Sequence, residues 1–409
     1  MSAKPASLSH NLWNATILVT SLGYLVDMFD IFLFNMYRVA SLTELGFTGA
    51  DITKQGLYIS NFQYAGIFLG AYVWGVLGDR IGRKKCLFGS ILIYSLASIA
   101  CGFVQDVDSY ALARFMAGFG LAGELGIGVT LIAERQAAKS RGYGSMIFIS
   151  LGFVGVMLAA VVAEFLYWRH AYFVGGAAGL VLMLARGFLM ESSMFQSLST
   201  SAVRRGKIWL IFRNPESRRQ FIGTILLLVP GVFGPQILWT LSPEFGRAMG
   251  VAEPVKSNVV LGIGFGCFII ADLVGIYLSE RLQSRKQAAL WALFAGAAVF
   301  AVYFIWLPQT LTGFYILNGL FGLSLGMWVL GVIWAAEQFG TNIRATAVTT
   351  APNFARGATI LMNLAFADLK QYGVLTALGI IGVAVFALAY WGWRQLPETY
   401  NKDLDFYHD

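Results

Sequence analysis

Apolar residues fall in long runs along this chain, each close to the roughly 20 residues that cross a hydrocarbon layer as a helix. Short polar clusters separate the runs. The pattern predicts twelve spans, over 14–37, 55–77, 86–105, 109–132, 143–165, 171–190, 220–243, 257–279, 288–307, 312–335, 345–367 and 371–394. A helix satisfies its own backbone hydrogen bonds, so such runs tolerate lipid. One longer polar stretch, 191–219, carries Arg204, Arg205, Lys207, Arg213, Arg218 and Arg219 and divides six spans from six. It reads as a solvated linker, with Ile208-Trp209-Leu210-Ile211-Phe212 a candidate helix at the membrane interface. The expected organisation is a helical bundle over 1–190, the linker 191–219, a second bundle over 220–394 and a tail over 395–409.

Composition agrees with that pattern. Of 409 residues 57% are hydrophobic and 12% charged, where soluble domains carry about a quarter charged. This excludes a disordered chain, a collagen-like chain and a disulfide scaffold. A net charge of +7 on a soluble protein would suggest a nucleic-acid partner. Here topology accounts for it, and no nucleic acid is expected. With the N-terminus inside, 21 of the 29 Lys and Arg residues fall in cytoplasmic segments or, for Arg186 and Arg394, at the cytoplasmic ends of spans 6 and 12, and 6 fall in outer loops. The positive-inside rule then puts both termini in the cytoplasm, in a plasma membrane (the inner membrane of a bacterium). Cys86, Cys101 and Cys267 show no disulfide or metal spacing. A lone Lys4 and no cleavage-site pattern precede the first span, so no removed signal peptide is expected.

The two halves repeat one another. After span 4 the chain reads Ala133-Glu134, six residues, then Arg141-Gly142; after span 10 it reads Ala336-Glu337, six residues, then Arg344-Ala345. After span 2 come Asp79-Arg80 and Arg83-Lys84, and after span 8 come Glu280-Arg281 and Arg285-Lys286. These matches share an offset of just over 200 residues. Two duplicated, pseudo-symmetric six-helix bundles around a central cavity near the midplane, rocking to alternate access, are the expected architecture.

The loop Gly75-Val-Leu-Gly-Asp79-Arg80-Ile-Gly82-Arg83-Lys84-Lys85 closely resembles the signature of the major facilitator superfamily. The resemblance covers nearly the whole chain. It implies twelve transmembrane helices and a cytoplasmic gate built from Gly75, Asp79, Arg80, Gly82 and Arg83, joined by Glu134, Arg141, Glu280, Glu337 and Arg344. Physically, glycines let helix ends approach, and an acid at a helix end pairs with basic groups that must part when the halves separate.

Ionisable residues inside the spans are costly and mark function. Asp27 and Asp30 lie one turn apart on span 1, Arg114 and Glu124 on span 4, and Arg356 stands near the middle of span 11 with Asn353 one turn before it. Two nearby carboxylates do not both ionise cheaply, so Asp27, Asp30 and Glu124 are the candidate proton-coupling groups. Arg114 and Arg356 are candidate clamps for an anionic substrate, since guanidinium stays charged and binds carboxylate as a fork. Asp272 on span 8 is the alternative, internal partner for Arg356. Asn353, Gln236, Trp239 and Tyr64 are further candidates for the cavity wall, and Pro230 and Pro235 permit bending of span 7.

Further motifs narrow the family branch. Arg114-Phe-Met-Ala-Gly118-Phe-Gly120-Leu-Ala122-Gly123-Glu124 and Asp27-Met-Phe-Asp30 resemble metabolite:proton and aromatic-acid:proton symporters. Glu191-Ser192-Ser193-Met194-Phe195 resembles the exit of their sixth helix, with Ser193 where Pro is usual, and Leu396-Pro397-Glu398-Thr399 resembles the ending of sugar porters and organic-ion transporters. The resemblance implies proton-coupled transport of a small organic solute, an organic anion first. An exporter of a siderophore, a drug or another larger metabolite, a sugar or organic-ion porter, and a non-transporting receptor are the alternatives. No cofactor or metal is expected besides the coupling proton, no enzymatic chemistry, and the working unit is expected to be a monomer in the lipid bilayer.

Overall fold

The computed structural model describes residues 15–135, 138–185, 209–340 and 343–402, and all regular structure among them is helical. The first half holds α1 (Ala15–Glu44), α2 (Ala50–Ile81), α3 (Arg83–Cys101), α4 (Val107–Arg135), α5 (Ala138–Phe165) and α6 (Trp168–Ala185). After the linker come α7 (Trp209–Arg213), α8 (Pro215–Phe233), α9 (Ser242–Met249), α10 (Ser257–Leu282) and α11 (Arg285–Ile305). Then follow α12 (Leu311–Ser324), α13 (Trp328–Gln338), α14 (Arg344–Leu369) and α15 (Val374–Gln395). Among the described residues, nine helical segments are long and apolar enough to cross a membrane.

In the first half α2 packs on α4, α1 on α5, and α3 on α4 and α6; in the second, α10 packs on α12 and α8 on α14 and α15. The halves meet where α14 lies against α2 and α4, and where α5 lies against α10. α14 supplies the polar side of this seam. Thr346, the adjacent pair Thr349 and Thr350, Asn353, Arg356, Thr359 and Asn363 follow at steps of three or four residues and are all buried, so they form one inward stripe. Where α4 crosses α14, a Cβ on Gly126 would stand 2.1 Å from the Thr349 Cα, so a hydrogen is all the contact admits.

Several boundaries differ from the hydropathy pattern, each for a local reason. α1 runs to Glu44, because Ser41 and Leu42 are buried and continue its inward face. Arg38 therefore sits on a helix and not in a loop. α8 begins inside the expected linker, at Pro215. Asn214 accepts a hydrogen bond from the Glu216 amide at 2.8 Å, and proline fits the first helical turn. Pro235 lacks an amide proton, and the chain there widens into a π-helical turn, Gly234–Trp239. Span 10 is two helices, α12 and α13, interrupted over 325–327. The candidate interfacial segment is helical as α7, with Trp209 exposed and Ile211 buried near Phe221, Phe339 and Ile343. The side chains of Asp79, Arg83, Glu134 and Arg141 lie outside the described residues.

Candidate functional site

Met28 and Phe32 of α1, Phe153 of α5 and Phe265 and Phe268 of α10 form one wall of a small central cavity. Pro235 and Gln236 of the π-helical turn, Trp328 of α13 and Arg356 of α14 form the other. The aromatic rings interlock: Phe265 meets Phe32 edge-on at 4.8 Å, and Phe153 lies 4.8 Å from Phe268. Centres of water-sized spheres fill about 20 Å³, room for water and not for an organic solute. Larger grooves, such as one of about 710 Å³ bounded by Leu96, Phe103 and Leu112, open on the outer apolar surface between α3 and α4.

Arg356 is 6% exposed and held by neutral groups. Its Nη1 donates to Asn353 Oδ1 at 3.0 Å, its Nη2 donates to the Tyr24 hydroxyl at 3.0 Å, and Nη2 lies 3.5 Å from Met28 Sδ. The Trp328 ring centroid lies 5.6 Å from its Cζ. Among the described residues no carboxylate pairs with Arg356. Asn353 donates to the carbonyls of Ala122 and Thr349, both at 2.9 Å, which ties α14 to α4 and aims Oδ1 at the guanidinium. Gln236 accepts from Asn35 at 2.8 Å. Trp239 is buried edge-on against Phe265, and Tyr64 is buried among Ile67, Ala71 and Trp74.

Arg114 sits in another setting. Nη1 meets Asp30 Oδ2 at 3.1 Å, Nη2 donates to the Asp30 carbonyl at 2.9 Å, and Nε donates to Gln63 Oε1 at 3.2 Å. Ser98 donates to the other Asp30 oxygen, and Gln63 Nε2 donates to the Ile31 carbonyl at 2.9 Å. This sealed cluster pins α1 to α2, α3 and α4, and neither Asp30 nor Arg114 lines the cavity. Asp27, one turn before Asp30, and Glu124 are both fully buried. The structure thus brings Asp30 to Arg114, Asn353 to Arg356 and Gln236 to the cavity wall, and places the two arginines in separate networks.

Contacts close both ends of the cavity. At one end Arg38 Nη2 meets both Glu244 carboxylate oxygens, at 2.8 and 3.0 Å, and Thr53 donates to the same carboxylate at 2.8 Å. Lys256 pairs with Glu164 nearby, and Asn35 also donates to Thr240 at 2.8 Å. At the other end Thr346 donates to the Gly75 carbonyl at 3.3 Å. Gly82 breaks the chain between α2 and α3 with φ +104°, and Arg80 is exposed. Arg285 Nη1 meets Glu280 at 3.0 Å and its Nη2 meets Glu337 at 3.2 Å. Glu337 also accepts from Thr399, and Arg344 Nε donates to the Phe339 carbonyl at 3.1 Å. Glu398 accepts from Ser284 and from the Arg285 and Lys286 amides, so the tail caps α11. Sequence reasoning missed Arg38, Glu244, Tyr24 and Trp328. The first two read as loop residues, and aromatic residues are too frequent here to single out two.

The family model of the major facilitator superfamily matches residues 20–369. The chain is 27% identical over 393 residues to a Cupriavidus pinatubonensis protein named "Probable 4-methylmuconolactone transporter", covering 92% of this chain and 89% of that one. It is 27% identical over 361 residues to a niacin transporter of Acinetobacter baylyi, covering 80% of each. A cis,cis-muconate transport protein of the same organism is 25% identical over 98% of this chain and 97% of its own. A solved proton:xylose symporter shares the fold with a TM-score of 0.76 at 15% identity, over 97% of this chain and 98% of that one. The family match, the helical packing and the buried polar seam agree: the chain belongs to the major facilitator superfamily, and is an integral membrane transporter and not an enzyme.

Proposed function

We propose that this chain is a secondary active transporter that carries a small planar organic carboxylate, coupled to protons, by alternating access. One observation carries the reading: Arg356 faces a central aromatic cavity with none but neutral partners among the described residues. A buried cation without an anion is unfavourable by several kcal/mol, and a carboxylate ligand supplies the missing charge. Edge-on and tilted phenylalanine rings suit a flat, unsaturated body. The names of the relatives, for niacin, cis,cis-muconate and 4-methylmuconolactone, support this class of solute.

The remaining parts follow from that reading. Twelve spans form two pseudo-symmetric six-helix bundles, over 1–190 and 220–394. Both termini lie in the cytoplasm of a cell with this protein in its plasma membrane, and a monomer suffices. The Arg38–Glu244 contact closes the outer side and the Gly75–Thr346 contact the inner side. They open in turn, so the solute never meets a continuous pore. Membrane-buried carboxylates support proton coupling; of those on α1, Asp30 is engaged by Arg114 and Ser98. A binding screen of purified protein tests the reading: planar carboxylates stabilise the wild-type against heat, their amides do not, and Arg356→Ala removes the effect. Stabilisation by neutral solutes alone would overturn it.

A further inference from the structure

The interruption between α12 and α13 has a buried carboxylate built against it. α13 starts at Trp328 with no side-chain cap from its own segment, so its first amides need acceptors from elsewhere. Asp272 of α10 supplies one: its Oδ1 accepts from the Val329 amide at 3.3 Å. Two glycines bring the elements this close. A Cβ on Gly326 would stand 2.4 Å from the Ala271 carbonyl oxygen, and one on Gly275 would stand 2.2 Å from the Gly326 oxygen. Asp272 lies ten residues, roughly 15 Å, from the end of its helix and is 1% exposed.

Two further observations set Asp272 apart from a static cap. Its second oxygen, Oδ2, is buried and has no hydrogen-bond partner, and no cation pairs with it among the described residues. The residue it helps to seat, Trp328, is 3% exposed on the cavity wall beside Arg356, with an indole Nε1 that also lacks a partner among the described residues. Phe268, one turn before Asp272, lines the same cavity.

The surroundings of Asp272 are otherwise poor in charge. From α1, Tyr24 lies within its electrostatic reach and Asp27 sits one turn further on; Arg356 of α14 stands behind Tyr24, bonded to its hydroxyl. Glu337 of α13 and Arg285 of α11 belong to the ion-pair cluster at the helix ends, together with Glu280 of α10 itself. α12 and the π-helical turn carry no charged residue, and Tyr315 and Tyr303 are the titratable side chains of α12 and α11 in their apolar stretches. α5 carries none over 144–163, and the charges of α9, Glu244 and Arg247, lie at the opposite end of the cavity.

Resting on the proton-coupled reading above, we propose that Asp272 is the group that takes up the coupling proton and so locks or frees the α12–α13 break. Ionised, it holds the positive N-terminal end of α13 in place by charge and hydrogen bond. A proton from the aqueous side adds to Oδ2, the oxygen with no partner, and neutralises that attraction. α13 is then free to shift, and Trp328 moves with it relative to Arg356. Loss of the proton to the other side restores the lock. Solute binding at Arg356 and proton binding at Asp272 thus meet at one residue, Trp328.

Labelling of the unmodified protein with dicyclohexylcarbodiimide, which reacts with protonated carboxyl groups in apolar surroundings, tests this without any solute. Peptide mass spectrometry should find the adduct on Asp272, falling as the buffer is taken from mildly acidic to mildly alkaline. No adduct there at any pH overturns the proposal. In proteoliposomes carrying labelled niacin, cis,cis-muconate or 4-methylmuconolactone, a gradient of one pH unit should drive about tenfold accumulation per proton by the wild-type. Asp272→Asn keeps an acceptor for the Val329 amide and should exchange solute without accumulating it. Coupled accumulation that survives in Asp272→Asn also overturns the proposal. Absence of proton-driven uptake in the wild-type rejects the functional reading instead. If the variant fails to fold, the labelling result decides.

Discussion

Arg114 and Arg356 are the same residue type, each buried inside a helix of an apolar core, yet their neighbours differ in kind. Arg114 meets the Asp30 carboxylate, a backbone carbonyl and Gln63, and lies away from the cavity. Arg356 meets an amide oxygen, a phenol and a thioether, and faces the cavity. The first network is complete within the protein and holds helices together. The second has no carboxylate partner among the described residues. Burial of a charge alone therefore does not mark a binding group; a buried charge whose counter-charge is missing does.

The largest effect is expected from breaking the complete network. Arg114→Leu leaves the Asp30 carboxylate buried without its cation, which should cost about 3–5 kcal/mol. Thermal unfolding in detergent reads this as a large drop, and adding Asp30→Asn should recover most of it. Next comes the incomplete network. Arg356→Ala should weaken carboxylate binding by about 2–5 kcal/mol, roughly 30-fold or more, without lowering the unfolding temperature. Titration of the ligand and a melting curve on the same sample separate the two effects.

Met28→Glu sharpens the comparison by making one arginine resemble the other. Its carboxylate would stand where a thioether now lies 3.5 Å from Arg356. Binding should fall by at least about 1.4 kcal/mol, tenfold, with stability kept. Glu244→Gln tests the closed end of the cavity. Removing the charge opposite Arg38 should shift the balance towards opening by about 1–2 kcal/mol, or 5–30-fold. A faster alkylation of a cysteine placed at Thr240 would report it.

The smallest effect concerns the tail. Ser284→Ala removes the N-cap of α11 and should cost about 1 kcal/mol of stability. Burial raises the Glu398 carboxyl, but hydrogen bonds from Ser284 and the amides of Arg285, Tyr400 and Lys286 outweigh it and hold it below the ordinary carboxylate value. A depressed value means the contact stabilises fully above the ordinary carboxylate range and is lost as pH falls through the depressed one. Melting temperature against pH should therefore drop more steeply on the acid side in the wild-type than in Glu398→Gln.

Much of the fold could be read from the chain. Apolar runs located the helices, and Arg356 and Asn353 drew attention because polar residues are rare in such runs. The pairings could not be read. Nothing local tells that Arg114 reaches Asp30 while Arg356 reaches Tyr24; 332 positions separate Tyr24 from Arg356. Boundaries misled at Arg38, where hydropathy falls before the helix ends, since a helix can continue past the apolar run while one face stays buried. The break in span 10 hid behind Leu325-Gly326-Met327, because one glycine in an apolar run does not by itself stop a helix. Asp272 is the alternative, internal partner that the sequence offers Arg356, whereas its carboxylate reaches the Val329 amide.

The most direct test of the missing counter-charge compares acids with their amides on one protein. Affinities of nicotinate, benzoate and cis,cis-muconate would be measured against nicotinamide, benzamide and muconamide, in the wild-type and in Arg356→Gln. Binding of at least one acid, with its amide weaker by tenfold or more and that difference erased in Arg356→Gln, is the predicted result. Amides that bind as tightly as the acids, or a preference for the acid that persists in Arg356→Gln, would contradict the assignment of Arg356 as the anion clamp.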